Sequence, residues 1–191
     1  MKKRIRVIVI VACMALLILG YYYYISNVRN KTIKEETAPP VSTVSNLLLK
    51  NFDRDYPPTP KEVIKAYADI TVAFYMEQYD DSEFDALADK ILELYDDELA
   101  SNTEHSAYLR NLKDEVTNFK NNGTYVSSYS TSSSTDVDYF DQDGYQWARL
   151  YLTFTLKQGK NISLTKETFI LRKDDSGHWK IYGWALTPTE E

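Results

Sequence analysis

Histidine, the residue that most often acts as a general acid or base, occurs only twice in this chain of 191 residues. The two histidines, His105 and His178, fall near the start of a predicted helix and at the tip of a predicted hairpin. A general base must reach the proton that it removes, and neither position is typical of a side chain that lines a cavity. Asp69 lies within another predicted helix, where a lone carboxylate usually faces solvent. We therefore predict no catalytic residue and a domain that is not an enzyme.

Acidic residues before Gly144 are the only group with a spacing that loosely resembles a metal site. Asp141 and Asp143 are the candidate ligands, but the run lacks the alternating Asp or Asn and the later Glu of a calcium loop. This mismatch favours a solvated hairpin turn. The single cysteine, Cys13, excludes both an intrachain disulfide and a Cys-based zinc site. The sequence also contains no Gly-rich phosphate loop, so we predict no metal and no cofactor.

Aromatic residues are the remaining candidates for a binding site, since the chain contains 16 Tyr and 3 Trp. If the domain encloses a pocket, we expect its walls to come from six aromatic residues of the first long helix and the sheet: Tyr67, Tyr75, Trp147, Tyr151, Tyr182 and Trp184. The alternative is that these side chains fill the core, which is the more common fate of aromatic sheet residues.

Charge is distributed unevenly along the chain. Of the 22 basic residues, four precede Ser26, so 18 basic and 28 acidic residues follow and give that part a net charge of −10. A nucleic-acid-binding domain needs a basic face to neutralise phosphates, so we predict no nucleic-acid partner. The same negative charge argues against a domain that lies flat on an anionic membrane surface.

Residues Val7 to Ile25 are uncharged and almost wholly apolar or aromatic. As a helix, these 19 residues would span roughly 28 Å, close to the thickness of the hydrocarbon core of a bilayer. Four basic residues precede the segment, which by the positive-inside rule places the N-terminus in the cytoplasm. The sequence predicts a single-pass protein of the cell membrane that contacts the bilayer through this segment and holds its C-terminal domain outside the cytoplasm.

Two alternatives to an uncleaved anchor stay open. A cleaved secretory signal would have a shorter apolar stretch and a small-x-small cleavage site, which the four tyrosines after Gly20 do not provide. The run from Ile10 to Cys13 resembles a bacterial lipobox, in which Cys13 would be lipidated. The residues after Cys13 stay apolar, however, whereas a lipidated cysteine normally opens a polar tether.

The chain divides into three parts by composition. Residues 1–25 form the cytoplasmic tip and the anchor. Residues 26–43 are polar, mixed in charge and contain Pro39-Pro40, which is typical of an extended tether. Residues 44–191 form the extracytoplasmic domain, which begins with a possible short helix from Val44 to Lys50. These 148 residues suit one domain with one core.

The period of the apolar pattern changes within the domain. Thr59 to Glu62 is a helix start, and apolar residues then recur at helical spacing to about Tyr79, from Ser82 to Leu99 and from Tyr108 to Phe119. Four strand-like segments follow: Tyr125–Val137, Tyr145–Lys157, Ile162–Lys173 and Trp179–Leu186. Helices followed by hairpin-connected strands predict an α+β domain, with three helices packed on a curved four-stranded antiparallel meander.

The closing segment from Arg172 to Trp184 carries a family resemblance. A charged turn followed by Trp179-Lys180-Ile181 and an aromatic residue, after three helices and a meander, resembles the nuclear-transport-factor-2-like superfamily of cone-shaped α+β domains. Enzymes of that superfamily line the cone with an acid–base pair, often Asp with His or Tyr. A strand pair that often follows the first helices there has no counterpart here. The overall layout also resembles single-anchor membrane proteins of Gram-positive anaerobic bacteria.

Three functions follow as hypotheses. The first is a non-catalytic binding or assembly module that meets a protein partner at the outer face of the membrane. The alternative is a small-ligand binder or enzyme that uses a pocket of the cone, which requires a cavity with convergent polar groups and a carboxylate. A sensor is the weaker alternative, because only six residues precede the predicted anchor.

Overall fold

The computed structural model describes residues 43–187, all of which lie within one compact unit spanning residues 42–191. The predicted anchor from Val7 to Ile25, Cys13 and the tether lie outside the described residues. Within the described range, no helix has both the length and the apolar character that crossing a bilayer requires.

In the described residues, helices come first and strands follow, as the sequence predicts for an α+β domain. The helices are α1 (Thr43–Leu48), α2 (Pro60–Met76), α3 (Asp81–Leu92), α4 (Asp97–Ser101) and α5 (His105–Asn121). The strands are β1 (Thr124–Thr131), β2 (Asp138–Gln142), β3 (Tyr145–Gln158), β4 (Asn161–Lys173) and β5 (Trp179–Leu186).

Side-chain caps fix where the two central helices begin. Thr59 caps α2 by accepting a hydrogen bond from the backbone N–H of Glu62, and Pro60 occupies the first turn, where its missing N–H costs nothing. Asp80 caps α3 through a reciprocal capping box with Glu83. Each cap satisfies backbone donors that the first turn of a helix leaves free.

The second predicted helix is wrong beyond Leu92, where α3 ends. The next residues extend and join the edge of β5: Asp96 N–H donates to the carbonyl of Ile181, and Ile181 N–H donates to the carbonyl of Leu94. Tyr95 and Ile181 form a parallel bridge there. The segment therefore hydrogen-bonds to the free edge of β5 instead of continuing α3. The short helix α4 starts only after it.

The predicted sheet of four strands is wrong in number, since the described sheet has five, in the order β1-β3-β4-β5 with β2 also paired to β3. The segment predicted as one strand is divided into β1 and β2, which lie along the same edge of the long strand β3. Ser132 causes the break because its hydroxyl accepts the N–H of Tyr151, which replaces a bond of the ladder. A 3-10 turn at Ser134–Asp136 follows before pairing resumes.

Alternation along the strands gives the sheet two different faces. The helix-side face carries buried apolar residues of β3 and β4, namely Ala148, Leu150, Leu152, Phe154, Phe169 and Leu171. These residues form one core with the apolar side of α2 and α3. The intervening residues, among them Trp147, Tyr151 and Arg172, lie on the opposite face.

Candidate functional site

An open cleft of about 440 Å³ lies between α2, α5 and the end of β5. Five aromatic side chains with hydroxyl or indole groups line it: Tyr67, Tyr75, Tyr95, Tyr108 and Trp184. Two carboxylates, Glu104 and Glu115, also line it. The cleft is therefore an aromatic hollow with acidic groups, and its volume falls in the range of about 300–1,000 Å³ that is usual for small-molecule sites.

Helix α2 supplies one wall because Tyr67, Thr71 and Tyr75 recur every four residues and so lie on one side of the helix. Tyr67 packs edge-on against Phe169, with 5.2 Å between the ring centroids. The hydroxyl of Thr71 donates to the carbonyl of Tyr67 and is thereby satisfied within the helix. This wall consequently presents mainly aromatic surface to the cleft.

Trp184 is the residue at which the aromatic walls meet. Its ring stacks on Phe169 at 5.7 Å and lies 6.0 Å from the ring of Tyr67 and 5.7 Å from that of Tyr95. Despite these contacts the side chain is 39% exposed. A tryptophan that packs on the core by one side and faces an open cleft by another offers apolar area for a ligand to cover.

The tyrosines of the cleft are neutral phenols near neutral pH. Burial, followed by the charge of Glu167, raises the pKa of Tyr67. Burial is also the largest cause that raises the pKa of Tyr95 and of Tyr108. Burial and the neighbouring Glu115 raise the pKa of Tyr75. The hydroxyls therefore remain hydrogen-bonding groups and carry no charge of their own.

Glu115 stands on α5 and accepts a hydrogen bond of 3.1 Å from the hydroxyl of Tyr75. This bond crosses from α5 to α2 and holds a carboxylate at the cleft while leaving the side chain exposed. Glu104, at the start of α5, caps that helix by accepting from the N–H groups of Ser106 and Ala107. Of the two, Glu115 is thus the carboxylate whose protein partner is a single tyrosine hydroxyl.

Glu167 of β4 is a third carboxylate near this cleft, although it does not line it. It pairs with Leu152 and Leu186 and lies on the helix-side face, two residues before Phe169. Its Oε2 atom is buried and has no hydrogen-bond partner among the described residues. Burial, reinforced by the charge of Glu115, raises the pKa of this carboxyl, which is the expected response of a desolvated acid near another acid.

Glu167 is not among the candidate residues that the sequence predicts. The signal was present, since Glu167 occupies the same alternating set as Phe169 and Leu171, which are fully buried. A charged residue at a core-facing strand position is unusual because leaving a carboxylate desolvated is costly. The position of this glutamate in the alternation, and not its neighbours in sequence, marks it as a candidate.

The six aromatic residues that the sequence groups into one pocket are divided between the two faces of the sheet. Tyr67, Tyr75 and Trp184 line the cleft. The other three are Trp147, Tyr151 and Tyr182, and they do not line it.

Alternation and one irregularity explain the division. Tyr151 lies between the buried Leu150 and Leu152, so it points to the opposite face. A shift in register beside Ile181 places Tyr182 on that face too, although Trp184 follows it by only two residues.

Trp147 and Tyr182 belong to a cluster around Arg172 on the opposite face. Their rings meet edge-on at 5.0 Å, and the guanidinium of Arg172 lies 5.6 Å and 5.0 Å from their centroids. Arg172 also forms two hydrogen bonds with the buried carboxylate of Asp96. The charge of this arginine is therefore already neutralised within the protein.

A hollow of about 550 Å³ lies at another side of α2, near Lys50, Asp69 and Tyr129. The sequence predicts a solvated carboxylate at Asp69, but this side chain accepts a hydrogen bond from the hydroxyl of Tyr129 and lies 3.8 Å from the ammonium of Lys50. Its polar groups satisfy one another and tie α2 to β1. This hollow offers less for a ligand than the aromatic cleft does.

The remaining candidates from the sequence lie apart from the cleft. His105 contacts Asp89 at 2.7 Å, and His178 stacks on Tyr56 at 4.4 Å. Asp141 lies in β2, and Asp143 adopts a positive φ of 53° in the turn that follows. Within residues 43–187, no three His, Cys, Asp or Glu residues are grouped closely enough to hold a metal ion.

Comparison with known proteins places the chain in a family. Residues 1–184 match the model of a family described as Domain of unknown function (DUF6715), so the chain belongs to that family. A search of curated proteins finds no significant match. The family description assigns no activity and no ligand.

Proposed function

For this member of the DUF6715 family, we propose that the domain binds a small ligand in the cleft between α2, α5 and β5. The observation that carries the proposal is the exposed Trp184, which lines an aromatic hollow and stacks on Phe169. Two residues before Phe169 on the same face of β4, Glu167 has a buried Oε2 without a partner among the described residues. Open volume, aromatic surface and a polar group without a protein partner are the three properties that a ligand site combines. They correspond to the pocket-based alternative of the sequence analysis.

The aromatic surface supplies the affinity in this proposal. A ligand that covers the exposed side of Trp184 and the half-buried ring of Tyr67 removes apolar area from water at a gain of about 25 cal/mol per Å². The tyrosine hydroxyls and Glu115 would orient the ligand. Catalysis is not required for this role, and the absence of enzymatic activity stays a prediction of the sequence.

Location at the membrane is the second part of the proposal. Residues Val7 to Ile25 would anchor the chain and display the domain outside the cytoplasm on the tether that precedes α1. This part rests on the apolar length and the flanking basic residues of the sequence. The resemblance to the nuclear-transport-factor-2-like superfamily likewise stays a prediction, and a cleft between helices and sheet accords with it.

The test uses the full chain in nanodiscs of zwitterionic lipid, with empty nanodiscs as the blank. Three probes of similar size are titrated by fluorine NMR: para-fluorobenzylammonium, para-fluorobenzyl alcohol and para-fluorophenylacetate. Trp184→Ala is compared with Trp147→Ala, which removes the same side chain from the opposite face. We expect at least one probe to bind the wild type and Trp147→Ala, and to bind Trp184→Ala about 30-fold more weakly, as for the loss of an aromatic anchor. Equal affinity for both variants, or no binding of any probe, would refute a ligand site at the cleft.

A protein-docking role is the second candidate, and it rests on the exposed end of the β3–β4 hairpin. Ile162 and Leu164 are 64% and 69% exposed and are neighbours on the face opposite to the helices. Apolar side chains placed this way suit the partner that the assembly hypothesis expects. A photo-crosslinking residue at position 164 in native membranes should then capture a protein that a crosslinker at the exposed Tyr139 does not. Identical capture at both positions would remove this candidate.

A further inference from the structure

The charge of the cleft has one sign. Glu104 and Glu115 line it, and Glu167 is close enough that its charge contributes to the raised pKa of Tyr67 and of Tyr75. Among the described residues, none that lines the cleft is basic. The charge of Arg110 on α5 acts on Glu104, at one end of the cleft, but not on Glu167. An anionic ligand near Glu115 and Glu167 would consequently meet repulsion.

Two lysines of the neighbouring helix α5 are engaged elsewhere. Lys113 forms a 2.7 Å ion pair with Asp81, near the start of α3. Lys120 donates to the hydroxyl of Tyr79 at 3.0 Å and lies over the same ring. These contacts direct both ammonium groups away from the carboxylates of the cleft. The negative field at the cleft is thus not neutralised by these two side chains.

The walls of the cleft suit a cation for a second, independent reason. The faces of aromatic rings carry negative electrostatic potential, and rings that surround a small volume attract ammonium groups, including quaternary ones. Here four tyrosines and Trp184 line one cleft. The tyrosines stay uncharged because burial raises the pKa of each, so their rings and hydroxyl oxygens offer attraction without the cost of a second buried anion.

Glu167 supplies the third reason. Its charge acts on Tyr67 and Tyr75 of α2, and the charge of Glu115 on α5 acts on it. Within the sheet it pairs with Leu152 of β3 and Leu186 of β5. No positive charge is among these neighbours. Its ionised form is therefore penalised by desolvation and by Glu115, and a cation placed nearby would relieve both penalties.

We infer that the ligand is a small organic cation, an ammonium group on an apolar or aromatic body, whose charge lies near Glu115 and Glu167 and whose body covers Trp184. This inference rests on the proposed ligand-binding function and specifies the chemical class. The apolar part of the ligand accounts for the aromatic walls. The positive charge accounts for Glu115 and Glu167, which form no ion pair among the described residues. A neutral ligand would leave Glu167 as costly as it is in the free domain.

The three fluorinated probes test the inference with the full chain in the same nanodiscs. At pH 7, para-fluorobenzylammonium should bind about tenfold more tightly than para-fluorobenzyl alcohol, the gain expected for a cation near rings and a carboxylate. Para-fluorophenylacetate should bind more weakly than both. Glu167→Gln keeps the shape of the side chain and should lower the affinity for the ammonium probe about tenfold, with the affinity for the alcohol unchanged.

Two further variants show whether the loss of affinity is specific to carboxylates near the cleft. Glu115 is exposed, so Glu115→Gln should disturb the fold less than Glu167→Gln does. It should also lower the affinity for the ammonium probe. Glu98 contacts Arg172 and accepts a hydrogen bond from Tyr182 on the opposite face of the sheet. Glu98→Gln should therefore leave all three affinities unchanged. Thermal unfolding of each variant establishes that it is folded during the titration.

The outcomes separate this inference from the function on which it rests. If the alcohol binds as tightly as the ammonium probe and both require Trp184, the ligand-binding function stands and the cationic ligand is refuted. If no probe binds, both are refuted. An ammonium affinity that is the same in the wild type, Glu115→Gln and Glu167→Gln would also refute the cationic ligand, whereas a loss in either variant but not in Glu98→Gln supports it.

Discussion

The two faces of the sheet carry similar aromatic residues but differ in whether the polar groups beside them have partners. On the opposite face, Trp147 and Tyr182 surround Arg172, and every polar group has a partner: Arg172 with Asp96, Tyr182 with Glu98, and the indole N–H of Trp147 with the carbonyl of Gln142. On the helix-side face, Trp184 and the tyrosines surround open volume. Glu167 of the same face has an Oε2 without a partner within residues 43–187.

This contrast shows that aromatic content alone does not distinguish a binding site from a structural cluster. The state of the polar groups does, because a buried charge without a partner is expensive and a paired one is not. In the cluster around Arg172, the charged groups already have partners of opposite charge. We propose that the carboxylates near the cleft gain such a partner when a cation binds.

The largest expected effect comes from breaking the completed cluster. Asp96 is almost fully buried, binds Arg172 and caps α4. Asp96→Ala should therefore lower the free energy of unfolding by about 3 kcal/mol, as for the removal of one partner from a buried pair. Urea unfolding of the full chain in micelles measures this, while ammonium binding to the folded variant should be unchanged. A loss of stability below about 1 kcal/mol would contradict a structural role for the cluster.

The next effect is the pH dependence of cation affinity that the charge of Glu167 should cause. The carboxyl of Glu167 must be ionised to attract a cation, and burial together with Glu115 raises its pKa above the ordinary 4.5. Affinity for para-fluorobenzyltrimethylammonium, whose charge does not depend on pH, should rise about tenfold as pH rises from 4.5 through this raised pKa. Fluorine NMR titrations at several pH values measure it. Glu167→Gln should show a clearly smaller dependence, and an equal dependence in this variant would count against Glu167 as the cause.

The smallest expected effect is a pair of melting-temperature shifts that have opposite signs. Because the folded domain holds the proton of Glu167 more tightly than the unfolded chain does, this residue's contribution to stability is complete below pH 4.5 and is lost as pH rises through the raised pKa. At pH 7, Glu167→Gln should therefore raise the melting temperature, on the order of 1 °C after solvent screening. Glu98→Gln should lower it slightly, since Glu98 has partners in Arg172 and Tyr182. Differential scanning fluorimetry measures both, and shifts of the same sign would contradict the comparison.

Much of the fold follows from local patterns in the sequence. Thr59 and Asp80 set helix starts that any observer of capping residues would find, and Asp143-Gly144 form a two-residue hairpin turn because both adopt positive φ. Alternating apolar residues in β3 predict its buried side. These features depend on neighbours along the chain, which is why the sequence alone reveals them.

The remaining features depend on contacts between distant segments. The extension of Leu94 to Asp96 requires the edge of β5, and the break after β1 requires the N–H of Tyr151. The separation of Tyr182 from Trp184 requires a register shift against β4. Half of the predicted pocket residues consequently lie on the wrong face for the cleft, whereas Glu167 was detectable from alternation but lacked any neighbouring motif.

The three tryptophans give the most direct test, since Trp184 lines the cleft, Trp147 lies on the opposite face and Trp179 is buried. The full chain is labelled with nitrogen-15 at the tryptophan indoles and titrated with para-fluorobenzyltrimethylammonium in nanodiscs. We predict that the indole N–H signal of Trp184 shifts and saturates while that of Trp147 does not move. A saturable shift of Trp147 with Trp184 unmoved, or no shift of either signal, would contradict a cation-binding site in the cleft.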